Sequence, residues 1–145
     1  MPIIEAILGA IFAGLCMGIV SEALYRLNFA RSNLLIIDGQ FFLENFNKTA
    51  GLQVTYIFGT IVHLMTSIGF GIAYWVICTL FQFNPLSLPT ISLYVFCLWL
   101  LMLFSALPIA GKGFLGSRIG SLVWLEQLLL HAVFGFGLWW SLRIL

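Results

Sequence analysis

His63 and His131 are the residues of this sequence best equipped for chemistry. An imidazole can ligate a metal, exchange a proton near neutral pH, or hydrogen-bond across an interface. Each histidine stands inside a long apolar run, with a small residue four positions on, Ser67 and Gly135. A Gly-Phe-Gly lies near each, at Gly69-Phe70-Gly71 and Gly135-Phe136-Gly137. On a helix, Gly59, His63, Ser67 and Gly71 form one row at spacing four. Gln127, His131, Gly135 and Trp139 form the matching row. One reading is axial ligation of haem b between two helices, with glycines making room for a flat macrocycle. A second is structural, each imidazole hydrogen-bonding across a close-packed helix interface. A third is a proton or ligand site, the default for ionisable groups at membrane depth. The second reading needs no cofactor, and scarce polar chemistry favours it.

The remaining charges add few chemical options. Glu22 and Arg26 are spaced for an i, i+4 ion pair. Ala10, Gly14, Gly18 and Glu22 share a row, which puts Glu22 on a small-residue packing face. Glu126 is expected about 10 Å inside its helix, with Arg118 two turns earlier and able to reach it or the head groups. Glu22, Glu126 and His131 are the members of a conceivable proton relay, although five positions between Glu126 and His131 aim them at different faces. Lys112 and Arg118 are placed to meet lipid phosphates. No metal-ligand spacing and no nucleophile–base set appears, and Gly111-Lys112-Gly113 lacks the strand and helix of a phosphate loop. No catalytic residue is therefore assigned, and the chain reads as non-enzymatic.

The elements that carry these residues follow from composition. Hydrophobic residues make up 62% of the 145 and charged ones 8%, against about 25% charged in soluble domains. So few charges cannot cover a soluble globule, and lipid is the expected solvent. The net charge of +1, from scattered Lys and Arg, offers no basic stripe for nucleic acid. Cys16, Cys78 and Cys97 sit in separate apolar runs and read as buried small side chains. The N-terminal run lacks a positive leader and a small-residue cleavage site, so it reads as a retained helix.

A spanning helix needs about 20 apolar residues. Four runs qualify, at about 3–25, 52–80, 88–107 and 119–142. They predict an all-α, integral membrane four-helix bundle over residues 1–145, a single domain. Loop 1 (26–51) contains Leu34, Ile37, Phe41 and Phe42 on one face, the pattern of a short helix lying in the membrane interface. Five of the six Lys and Arg fall in loops 1 and 3, which places those loops in the cytoplasm and both termini outside. The matched histidine rows suggest two tandem helical hairpins. Counted from residues 52 and 119, both histidines lie about 16–18 Å deep, near the midplane.

From Leu98 to Trp139 the sequence resembles a family of small bacterial four-helix inner-membrane proteins of unknown function, the YagU type. The resemblance rests on Leu98-Trp99-Leu100-Leu101-Met102, Leu107-Pro108-Ile109-Ala110-Gly111, Phe114-Leu115-Gly116, and Leu130-His131 with Gly135. It implies the bacterial inner membrane and a two-hairpin design, and no active-site residues. Three functions remain in view: an accessory or structural subunit of a membrane complex, a bis-histidine haem electron-transfer subunit, and a small oligomeric transporter or proton conductor.

Overall fold

A computed structural model describes all 145 residues, and the protein is all-helical. Five helices carry the fold: α1 (Ile3–Arg26), α2 (Leu34–Asn45), α3 (Leu52–Phe81), α4 (Leu88–Ile109) and α5 (Val123–Ile144). By length and composition α1, α3 and α4 can each cross a membrane. At 22 residues α5 is also long enough, but Glu126, Gln127, His131 and Arg143 dilute its apolar content and it falls outside that set. Large apolar side chains cover the outside of the bundle, Ile19 at 68%, Leu80 at 71% and Ile109 at 70% exposed. An exterior of this extent suits hydrocarbon and not water.

Local signals set the helix ends. Asn33 caps α2, its Oδ1 accepting from the backbone N–H of Leu35 at 3.0 Å and Ile36 at 3.2 Å. Gln82 ends α3 in the left-handed region at φ 56°, and Phe83 N–H closes back on the Cys78 carbonyl at 3.0 Å. Within α4, Met102–Ala106 form a π turn just before Pro108. A proline has no N–H to donate and crowds the carbonyl four residues back, so a widened turn is a natural accommodation.

The helices pair as two antiparallel hairpins, α1 with α3 and α4 with α5, joined by an α1–α5 interface. Small residues make the contacts close. A Cβ on Gly71 would lie 2.6 Å from the Ala6 carbonyl oxygen, and one on Gly137 would lie 3.0 Å from the Ala13 Cα. The termini and loop 2 (82–87) share one end. Loop 1, α2 and loop 3 (110–122) share the other. The expected hairpins are thus present, but they are not related by a closed twofold. Such an axis would pair α3 with α4 as α1 pairs with α5, and no interface of that extent forms. Near loop 2 the two helices do meet. Tyr94 donates to the Phe70 carbonyl at 2.6 Å, Tyr74 to the Pro85 carbonyl at 2.8 Å, and the two tyrosine rings sit 4.9 Å apart.

Three expectations need correction. The fourth helix begins at Val123, not residue 119, because residues 113–122 are spent on turns with Gly113, Leu115 and Gly116 at positive φ. Helix α2 exists, yet part of its apolar face packs inside the protein and is not free for lipid. Leu34, Ile37, Gly39 and Leu43 are buried, and α2 runs antiparallel along the first turns of α3. A Cβ on Gly39 would lie 2.0 Å from the Thr55 carbonyl oxygen, and one on Gly59 1.8 Å from that of Leu35, so glycine alone permits this approach. Finally, Cys97 is exposed on the outer surface, whereas Cys78 is buried as expected.

Candidate functional site

Where the α3–α4 interface is missing, a cavity of about 320 Å³ opens. Of its 18 lining residues 13 are hydrophobic, contributed chiefly by α2, α3 and α4. Its polar groups are few: Asp38 on α2, His63, Thr66 and Ser67 on α3, and His131 on α5. Beyond the cavity, at the loop-1 end, Ile37, Leu103, Leu107, Ala110 and Val123 form a separate apolar cluster. There Lys112 Nζ donates to Gln40 Oε1 at 2.9 Å, tying loop 3 to α2.

His63 is buried and held from two sides. Its Nε2 stands 3.0 Å from the Gly14 carbonyl oxygen on α1. Its Nδ1 faces Asp38 Oδ2 at 3.3 Å. The expected small-residue rows create this setting. Gly14 and Gly18 present bare backbone to His63 and Ser67, and a Cβ on Gly14 would lie 2.1 Å from Ser67 Oγ. Ser67 in turn donates to the His63 carbonyl at 2.8 Å.

His131 lies on the opposite wall, also buried. Its Nδ1 stands 2.8 Å from the Gln127 carbonyl oxygen in the preceding turn. Nε2 has no protein partner, and the residue lines the cavity. His63 is 11 residues into α3 and His131 only 8 into α5, so the equal-depth reckoning does not hold along the helices. Both nevertheless line one cavity.

The acids lie elsewhere. Glu22 pairs with Arg26 as its spacing implied, and Glu22 Oε2 also accepts from Asn33 Nδ2 at 2.6 Å. The same Asn33 Nδ2 lies 3.3 Å from the Tyr56 hydroxyl. Glu126 is in the first turn of α5, not 10 Å inside it. It accepts from the backbone N–H groups of Arg31 and Ser32, both at 3.0 Å, and from Ser32 Oγ at 2.6 Å. Gln127 adds a 3.3 Å bond from Nε2 to Ser32 Oγ. Glu126 is therefore a tether for loop 1. Arg118 does not reach it, donating instead to the Gly111 carbonyl at 3.1 Å. No direct hydrogen bond joins Glu22, Glu126 and His131; Ser32 and Gln127 stand between Glu126 and His131. Lys112 and Arg118 both lie in the loop-3 turn, each with a protein hydrogen bond.

Asp38 is the site residue that the sequence reading passed over. Its signal was a lone carboxylate next to Gly39 in an otherwise apolar segment. Asp38, His63 and His131 do not converge as three metal ligands. No family model matches this chain, and no curated protein or solved structure matches it significantly.

Proposed function

We propose that this chain is a non-enzymatic, multi-pass protein of a bacterial inner membrane, crossing four times, that holds a small lipophilic molecule in the α3–α4 cavity. The cavity carries the proposal. Ligand sites are concave, mostly apolar, and edged by a few convergent polar groups, from about 300 Å³ upward. This one, at about 320 Å³ with 13 hydrophobic lining residues of 18, has that character. Its exposed lining residues, Thr66, Leu101, Ala106 and Ile109, put its mouth on the apolar outer surface, so a guest dissolved in the bilayer has direct access. The cytoplasmic placing of loops 1 and 3 rests on their Lys and Arg excess, and the bacterial membrane on the YagU-type resemblance. A binding role suits an accessory subunit of a larger membrane assembly or of a homo-oligomer.

The test is calorimetric titration of para-hexylanisole into protein-loaded nanodiscs, with empty nanodiscs subtracted. Saturable heat is expected from the native protein and its loss from Ala106→Phe and from Thr66→Phe, both of which add bulk at the mouth. Heat no different from empty nanodiscs, or unaltered by both substitutions in folded protein, defeats the reading.

A further inference from the structure

The hydrogen bonds around the cavity fix the polarity of its walls. A carbonyl oxygen only accepts. The 3.0 Å approach of His63 Nε2 to the Gly14 carbonyl therefore makes Nε2 an N–H donor. In neutral His63 that leaves a lone pair on Nδ1, facing Asp38 Oδ2 at 3.3 Å. A carboxylate offers only lone pairs as well. The carboxylate and the ring are thus each other's polar neighbour on this wall of the cavity. The same logic applies to His131, whose Nδ1 lies 2.8 Å from the Gln127 carbonyl and so carries the hydrogen. Its Nε2 is then a bare acceptor, turned to a cavity in which the protein gives it no donor.

We propose that His131 Nε2 is the recognition point for a neutral lipophilic hydroxyl compound, a phenol or long-chain alcohol, whose O–H it accepts. This rests on the reading of the cavity as a lipophile site. Apart from His131, the only acidic or basic side chains that line the cavity are Asp38 and His63, which face each other at 3.3 Å, and α1 and α4 contribute only apolar groups to it. A charged guest would lose its hydration without a counter-charge, which is prohibitive in such surroundings. A neutral guest with no donor would leave Nε2 unpaired. A hydroxyl on an apolar body meets both walls.

The experiment compares para-hexylphenol with para-hexylanisole in nanodiscs by titration calorimetry, empty nanodiscs subtracted. The two differ by capping the donor with a methyl group. The phenol is expected to bind about tenfold more tightly, and His131→Leu to erase that preference while anisole binding persists. Equal binding of both probes by the native protein overturns the assignment of His131 and leaves the cavity reading standing. Binding of neither probe removes both. A second measurement needs no variant. Nitrogen NMR of ring-labelled histidine should show His131 protonated on Nδ1 and bare on Nε2, and the reverse tautomer overturns the proposal.

Discussion

The imidazole of His63 crosses from α3 to α1 and donates from Nε2 to the carbonyl oxygen of Gly14, 3.0 Å away. Position 14 is closely packed against α3. A Cβ there would lie 2.1 Å from Ser67 Oγ and 2.8 Å from Ser67 Cβ, so Ser67 would have to shift. Gly14→Ala should therefore destabilise the protein by about 1–3 kcal/mol, and adding Ser67→Ala should recover much of it. Thermal unfolding in detergent reads both. A Gly14→Ala protein as stable as the native one would refute this account of the α1–α3 contact.

The 3.3 Å approach of Asp38 Oδ2 to His63 Nδ1 predicts an asymmetry between two substitutions. Asparagine can donate an N–H to His63 Nδ1, so Asp38→Asn should stay within about 0.5 kcal/mol of the native protein. Leucine cannot, and Asp38→Leu should cost about 1–3 kcal/mol by leaving a buried ring nitrogen unpaired. Equal losses in the two variants would show that a hydrogen bond to His63 Nδ1 does not hold this contact.

Glu126 binds loop 1 through two backbone N–H groups and one hydroxyl. Glu126→Ala should lower stability by about 1–3 kcal/mol and raise hydrogen exchange at the Arg31 and Ser32 amides ahead of the helices. Unchanged exchange at these two amides would argue against a tethering role.

The proposed four crossings would put both termini and loop 2 on one side. In a background without Cys16, Cys78 and Cys97, single cysteines at Asn84 and at the C-terminus should react with an impermeant maleimide from the same side. One at Lys48 should react only from the other. A C-terminal cysteine that reacts together with Lys48→Cys would mean that α5 does not cross.

Ligation of haem at His63 would require Nε2 to abandon Gly14 or Nδ1 to abandon Asp38. The purified protein is therefore expected to be colourless, and a Soret band abolished by His63→Ala would restore the bis-histidine reading.

Apolar length made α1, α3 and α4 legible in the sequence, because spacing alone fixes where a helix can be buried in lipid. The Gly14–Gly18 and His63–Ser67 rows were legible for the same reason, small residues at spacing four having little use other than close approach. The start of α5 was not, since Ile119 continues the apolar run while positive-φ turns at Leu115 and Gly116 delay the helix. Nor was Asp38. Its partner is 25 positions away on another helix, and only the Gly39–Thr55 and Gly59–Leu35 backbone contacts bring α2 alongside α3. Sequence periodicity describes faces within one helix, whereas the site depends on which faces are left without a neighbour.

The missing seam between α3 and α4 has a mechanical meaning. Loop 2 and the Tyr74–Tyr94 contact join α3 and α4 at one end, as a pivot joins a pair of tongs, and the cavity lies between the two helices. Any parting of the two helices would enlarge it. A guest that wedges the arms also pushes on α2, which rides along α3, and strains the Lys112–Gln40 latch to loop 3. Occupancy deep among the helices would in this way be legible at the loop-1 and loop-3 face, where a neighbouring protein could feel it.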